Sequence, residues 1–462
     1  MNNKILFNKK LIQRYDYAGP RYTSYPTAKQ FSTDYNDADY KNWVEASNED
    51  PIPAELSLYL HIPFCDTICY YCGCSKIVTK DRSKATPYIA LLQQEIALQG
   101  QLFANDRETT QIHWGGGTPT FLKDDEIAEL MSSLHQHFHI NTEKGEFGIE
   151  VDPRTVNKKR IQNLRQLGFN RISFGVQDFN ANVQQAVNRV QKTEQIMEVI
   201  QAARDNQFES INIDLMYGLP EQTPETFEHS LDAVITASPD RLAVYNYAHM
   251  PEMFKPQRRI NAAALPSPQQ KLAILQLTIE KLQQAGYVYI GMDHFAKPTD
   301  DLVIAQQNGS LHRNFQGYST HANCDIVAMG ITAISRIGDN YCQNVRTIDE
   351  YESRLKDNRL TIFRGIELEP DDVLRREIIT QLMCNNFLDI KKLEQKWGIE
   401  FIGYFKDTLS KLHEMADDEL ITLTPEIIRI TAKGRLLVRS ICMQFDRYLK
   451  AEKTRQAYSR II

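Results

Sequence analysis

Residues 61–76 read HIPFCDTICYYCGCSK and place four of the chain's eight cysteines, Cys65, Cys69, Cys72 and Cys74, in one short, aromatic-rich loop. A disulfide knot, a zinc site and an iron–sulfur cluster all use thiols packed this closely. Disulfides belong to oxidising compartments. The opening residues, MNNKILFNKKLIQRYDY, hold no apolar core of a leader peptide, and no apolar run approaches the roughly 18 residues of a membrane span. The expected setting is the cytoplasm, which disfavours the disulfide knot. Structural zinc usually takes its four ligands from two separated knuckles, and Cys72 and Cys74, one residue apart, make a closed tetrahedron awkward. Three thiolates spaced C-x3-C-x2-C can instead hold three irons of a [4Fe–4S] cluster and leave the fourth open to a small molecule. Cys324, Cys342, Cys384 and Cys442 are scattered singly and read as small hydrophobes.

The segment leading into this loop, LSLYLHIP (56–63), is the first of a series. QIHWGG (111–116), FGIEVD (147–152), RISFGVQ (171–177), SINIDLMYG (210–218) and RLAVYNYA (241–248) follow, with VYIGMDHFA (288–296) as a candidate seventh. Nearly continuous apolar runs suit strands buried on both faces of a parallel sheet. Helical signals lie between them. Ile127, Leu130, Met131, Leu134 and Phe138 share one helical face. Thr223-Pro224 and Ser267-Pro268 read as N-caps followed by proline, and Gly168 and Gly286 as C-terminal caps. The alternation predicts an α/β fold, a partial (β/α) barrel whose chemistry gathers where strands end. The cysteine loop, GGGTPT (115–120), EVDP (150–153), GVQDF (175–179), DLMYGLP (214–220) and YNYAHMP (245–251) all fall at such ends.

The 462 residues divide into an N-terminal segment over 1–50 that reads as a lid, a barrel domain with trailing loops over 51–365, and a small, mainly helical domain over 366–462. The region from about 297 to 323 reads as long polar loops. The last domain carries a hairpin near LITLTPEIIRIT and has a winged-helix pattern, which admits a DNA-binding reading beside that of a structural cap. A net charge of −6, from 53 basic and 59 acidic residues, argues against a dedicated nucleic-acid binder.

C-x3-C-x2-C with Tyr71 before its last cysteine resembles the signature of radical S-adenosylmethionine (SAM) enzymes. GPRYTSYPTA (19–28), HWGGGTPT, IEVDPR, FNRISFGVQDF, NIDLMYGLP, YNYAHMP, GMDHFA, HRNFQGY and the terminal YSRII extend the resemblance, over essentially the whole chain, to the oxygen-independent coproporphyrinogen III oxidase family. The resemblance implies a [4Fe–4S] cluster on Cys65, Cys69 and Cys72, with the open iron chelating SAM. It implies two SAM molecules side by side: Tyr59, Gly116, Glu150 and Ile334 on the cluster-bound one, and Tyr71, Gly117, Thr118, Gln177, Arg189, Asp214 and Ala248 on the second. It further implies coproporphyrinogen III as substrate, a low-potential electron donor, no nucleic acid, and decarboxylation of two propionates to vinyl groups by a 5′-deoxyadenosyl radical. No side chain need act as nucleophile or base, and a monomer is the default.

A substrate with four propionates needs local cations in an acidic protein. Arg21 is the favoured one; Lys255, Arg258, Arg259 and Arg313 are others. Two rival readings are a haem chaperone on the same fold and a zinc-binding regulator. The presence of Cys74 and of GPRYTSYP speaks against the chaperone.

Overall fold

The computed structural model describes residues 5–449 together with Tyr458 and Arg460. Ser459, Ile461 and Ile462 of the terminal YSRII motif lie outside the described residues. Six parallel strands run side by side in chain order: β1 Leu56–Ile62, β2 Glu108–Gly116, β3 Glu146–Val151, β4 Arg171–Gln177, β5 Ser210–Tyr217 and β6 Arg241–Asn246. Their order and direction make the expected partial (β/α) barrel. Ile112, Trp114, Ile149, Phe174, Ile213 and Leu215 are at most 1 % exposed, as strands covered on both faces require.

The intervening helices start where the sequence signals them. Thr223 and Ser267 accept from the amides of Thr226 and Gln270, and each is followed by proline at the first helical position. Gly168 (φ +101°) and Gly286 (φ +88°) take the left-handed cap conformation that only glycine adopts without strain. The helix Asp124–His137 stops one residue before Phe138, which is still buried, at 7 % exposure.

Two stretches depart from the sequence reading. The candidate seventh strand is a hairpin, β7 Val288–Gly291 and β8 His294–Ala296. Met292, at φ +53°, turns the chain, and β8 pairs antiparallel with β6. The sheet is therefore capped rather than extended at this edge, and the turn carries Asp293 to the rim. The supposed polar loops over 297–323 hold a helix, Asp301–Asn308, capped by the Asp300 carboxylate and closed by Gly309 (φ +75°). A short hairpin, His312–Asn314 with Gly317–Ser319, follows.

At the opposite edge, β9 Asp325–Met329 pairs parallel with β1, and β10 Ile334–Ile337, β11 Asn340–Asn344 and β12 Ile362–Glu367 continue antiparallel. Beyond Glu367 come the helix Pro370–Thr380 and a three-stranded antiparallel sheet, β13 Phe387–Asp389, β14 Ile421–Leu423 and β15 Ile427–Ile430, with β15 central. This region shares one apolar core with Tyr15, Tyr22, Tyr25 and Ile290. The N-terminal segment contains the helices Lys9–Tyr15 and Asp37–Asn48. Among the described residues no helix is long and apolar enough to cross a membrane.

β9 is anchored by a buried ion pair. Asp325 lies 2.8 Å from Arg107, with side chains 5 % and 1 % exposed, and also accepts from Ser47 and the Gly338 amide. Replacing Asp325 with alanine leaves a buried guanidinium without its countercharge. The expected loss is about 3–5 kcal/mol, read as a lower urea midpoint; an unchanged midpoint would show that the pair does not hold β9.

Candidate active site

The rim at the strand C-termini surrounds a cavity of about 560 Å³. Eleven of the fifteen predicted site residues line it: Cys65, Cys69, Cys72, Tyr71, Gly116, Gly117, Thr118, Glu150, Gln177, Arg189 and Asp214. Adjacent parallel strands bring them together: β1 pairs with β2, β3 with β4 and β4 with β5.

The cysteine loop is held by backbone. Phe64–Cys65 pairs with Ile77–Val78, closing the loop at its base. The amides of Gly117 and Thr118 donate to the carbonyls of Ile62 and Phe64, each at 2.8 Å. The three glycines admit this close approach. A Cβ on Gly117 would lie 2.7 Å from the Pro63 carbonyl, one on Gly116 (φ +109°) 2.5 Å from the His61 ring, and one on Gly115 2.9 Å from the Glu150 carboxyl. The space that sequence reading assigned to a ligand is thus largely filled by the protein itself, although Gly116 and Gly117 still border the cavity.

Hydrogen-bond donors surround the thiols. Thr118 Oγ1 lies 3.4 Å from Cys65 Sγ. Arg189 Nη1 and Arg154 Nη2 lie 3.4 and 3.7 Å from Cys69 Sγ, and both arginines pair with Asp152. Burial alone would raise the Asp152 carboxyl; Arg189 and Arg154 outweigh it and hold the pKa down to about 2. Lys76 Nζ donates to the carbonyls of Cys72 and Cys74. Neither Asp152, Arg154 nor Lys76 was singled out from sequence; IEVDPR contains two of them, but only the fold brings them to Cys69.

Two carboxylates share the cavity with opposite tendencies. Burial and the nearby Glu150 push Asp214 up to about 7, against hydrogen bonds from Asn212 and Ser173. Glu150 is also raised by burial, but His113, the Gly116 amide and His61 outweigh this and leave it below the usual carboxylate range. His61 and His113 are further contributors that the sequence reading left unassigned.

Four predicted residues do not line the cavity. Tyr59 lies on β1, stacked on His113 at 6.0 Å with its hydroxyl 3.2 Å from His61 Nδ1. Ala248 lies just past β6 and Ile334 begins β10, packed beside Phe31 and Tyr341. Arg21 is paired with Asp293 at 2.5 Å, near Tyr217 and Tyr245. Of the other cations, Lys255, Arg258 and Arg259 are exposed on the turn Lys255–Arg259, whose Gln257 donates to the Tyr71 carbonyl. Arg313 is buried.

The donor set fits an iron–sulfur cluster better than one ion. Thiolates on tetrahedral zinc at about 2.3 Å sit about 3.8 Å apart. Among the described residues the loop cysteines form no trio with all sulfurs within 4.8 Å of one another; only Glu55, His321 and Cys324 make such a group. SAM is also accommodated: Gln177 Oε1 and Arg189 Nε are buried beside the cavity without a hydrogen-bond partner.

Similarity to known proteins agrees. Residues 59–234 match the Radical SAM superfamily and residues 368–437 the HemN C-terminal domain. Oxygen-independent coproporphyrinogen III oxidases of Salmonella typhimurium and Pseudomonas aeruginosa are 51% and 50% identical to the chain, over 98% and 100% of both proteins. The chain belongs to this family. The solved structure of coproporphyrinogen III oxidase (HemN) from Escherichia coli, a radical SAM enzyme, superimposes with a TM-score of 0.92 at 48% identity, over 96% of this chain and 100% of that one. As a member, the protein uses a [4Fe–4S] cluster and SAM.

The loop clamp predicts a specific defect. In Gly117→Ala the new Cβ meets backbone rather than a flexible side chain, so the cysteine loop must shift. Iron content after anaerobic reconstitution should fall by half or more with the thermal midpoint of the fold little changed. Full iron content would show that the close approach is unimportant.

Proposed function

We infer that this chain converts coproporphyrinogen III to protoporphyrinogen IX without oxygen, by oxidative decarboxylation of two propionates to vinyl groups. The observation that carries this reading is half-identity over the full length to enzymes named for the reaction, joined to a thiol-lined cavity with a matching donor set. When bound, the cluster and SAM would supply radical hydrogen-atom abstraction at a propionate β-carbon, the carboxyl being lost as carbon dioxide and one electron passing to an acceptor.

The chain's own residues position and insulate. Asp152 fixes Arg189 and Arg154 so that their N–H groups face Cys69, and Thr118 faces Cys65. Such bonds to sulfur tune a cluster. Cys65, Cys69 and Cys72 would be its ligands. Tyr59, Gly116, Glu150 and Ile334 would serve a cluster-bound SAM, and Tyr71, Gly117, Thr118, Gln177, Arg189, Asp214 and Ala248 a second. The unpartnered polar atoms of Gln177 and Arg189 favour a polar ligand on that side. Arg21, at the rim, would face a propionate. A low-potential electron donor, a monomeric state and a cytoplasmic setting complete the proposal; the free thiols of all eight cysteines accord with the last.

Reconstituted anaerobically and supplied with dithionite, SAM and coproporphyrinogen III, the protein should bind about four irons and form 5′-deoxyadenosine, carbon dioxide and the divinyl product. Cys65→Ser, Cys69→Ser and Cys72→Ser should each abolish turnover. Binding of the substrate without product would instead favour a carrier.

Asp214 sets a pH dependence. Its carboxyl loses its proton near pH 7, so below that pH the anion facing a cationic ligand disappears. SAM affinity should weaken up to about tenfold per unit as pH falls below 7, and Asp214→Asn should flatten the profile. A wild-type profile flat from pH 6 to 8 would remove Asp214 from SAM binding.

A further inference from the structure

Of the buried arginines, Arg107 and Arg189 have the carboxylates of Asp325 and Asp152, and Arg435 and Arg439 donate to backbone carbonyls; the half-buried Arg171 and Arg241 pair with Glu146 and Asp300. Among the described residues no carboxylate pairs with Arg313, and two of its nitrogens, Nε and Nη1, have no acceptor at all. It sits on the first arm of the His312–Asn314 hairpin at 9 % exposure. Its guanidinium lies 4.8 Å from the Tyr318 ring centre, a weak substitute for an anion. A buried charge without a countercharge is costly and persists where something else requires it.

Its surroundings repeat the pattern. Tyr318 packs edge-on against His294 at 5.3 Å, and His294 against Tyr245 at 5.9 Å. His294 Nδ1 and Gln316 Nε2 are also buried without partners. Burial and the nearby Arg313 push His294 down to about 3, so it stays neutral and able to share a proton on either nitrogen. His294, Gln316 and Tyr318 line a second cavity of about 150 Å³, bordering the thiol-lined one through Glu150, Ser173, Asp214 and Tyr245. Arg313 lines not this cavity but an adjoining crevice of about 20 Å³ under Tyr22–Tyr25, and its neighbour Asn314 lines both. Three nearby carboxylates are paired with other arginines, Asp293 with Arg21, Asp300 with Arg241 and Glu146 with Arg171; Asp214 and Glu150, on the same cavity wall, are held instead by Asn212 and Ser173 and by His113 and the Gly116 amide.

We propose that Arg313, with Gln316 and His294, is a carboxylate receptor that takes one propionate of the porphyrinogen and so fixes how the ring lies beneath the rim. This rests on the function inferred above. Arg313 is a positioning residue here: it supplies the missing pairing for a substrate anion and touches no reacting atom. Arg21, already neutralised by Asp293, cannot offer the same uncompensated charge.

The test uses the reconstituted holoenzyme with Arg313→Met and Arg313→Lys. KM for coproporphyrinogen III should rise about tenfold to a hundredfold in Arg313→Met, with a smaller change in kcat, and Arg313→Lys should recover part of the loss. Removing an uncompensated buried charge should leave the thermal midpoint unchanged or raise it. Coproporphyrin III, a stable tetracarboxylate, should raise the midpoint of wild type more than that of Arg313→Met. A KM within twofold of wild type, or an Arg313→Met protein that melts well below wild type whatever its KM, would overturn the proposal, the latter by making the guanidinium structural. If wild type makes no vinyl product the inferred reaction fails, and the coproporphyrin III shift still decides the fate of Arg313.

Discussion

Two backbone hydrogen bonds hold the site together: the amides of Gly117 and Thr118 on the carbonyls of Ile62 and Phe64. They join the end of β2 to the chain leaving β1, and thereby fix where the cysteine loop stands above the barrel. The glycine run exists for this contact. At each of its three positions a Cβ would strike protein atoms at 2.9 Å or less. The clamp also sets the carboxylate of Glu150, which nests against Gly115 and accepts from the Gly116 amide. Cluster loop, glycine run and acid are one mechanical unit.

Charge is distributed with equal economy. The chain is acidic overall, at −6, yet the reaction's substrate is a polyanion and its cofactor carries a cationic sulfonium. Asp214 and Glu150 line the same cavity, where two ionised carboxylates would repel; His113 and the Gly116 amide favour ionisation of Glu150, and Asp214 retains its proton up to about pH 7. Below Cys69 the positive groups dominate, with Arg189 and Arg154 sharing Asp152. Cationic groups beside the cysteine loop and acidic groups across the cavity thus stand apart, within a protein whose net charge suggests neither.

Much of this was legible in the sequence because parallel βα order is a strong constraint. Six apolar runs, proline after an N-cap, and glycine after a helix were enough to put the cysteine loop, Gly116, Glu150, Gln177 and Asp214 on one rim. Adjacency across strands was not legible. His61 and His113 act on Glu150 through strand pairing between β1, β2 and β3, and Asp152 reaches Arg189 across 37 residues. The hairpin at 288–296 was missed because an apolar run does not show a reversal that rests on one left-handed residue, Met292. The helix at 301–308 was hidden because its apolar and polar residues do not sort by face: Ile304 is exposed and Gln306 buried. Ala248 and Ile334 came from resemblance alone, and Tyr59 also from its place on the first strand six residues before Cys65; none lines the cavity.

The strap over residues 15–25 decides how the site relates to the C-terminal region. Ser440 donates to the Tyr15 carbonyl at 2.6 Å, Arg439 to the carbonyls of Gly19 and Pro20, and Tyr22 to Asp446 at 2.9 Å; the Arg447 amide donates to the Tyr25 hydroxyl at 3.1 Å. On its other side Arg21 grips Asp293 at the barrel rim. Among the described residues, Tyr15 also donates to Asp418 and Asp16 pairs with Arg460, so many attachments bind the strap to the C-terminal region, while the Arg21–Asp293 ion pair binds it to the rim. If the strap moves, the many bonds require it to move with the C-terminal region as one body, and the Arg21–Asp293 pair is the contact that must give. Since Arg313 borders the crevice beneath this same strap, a ring seated against Arg313 would be covered by a wall that is anchored to the C-terminal region and only latched to the barrel.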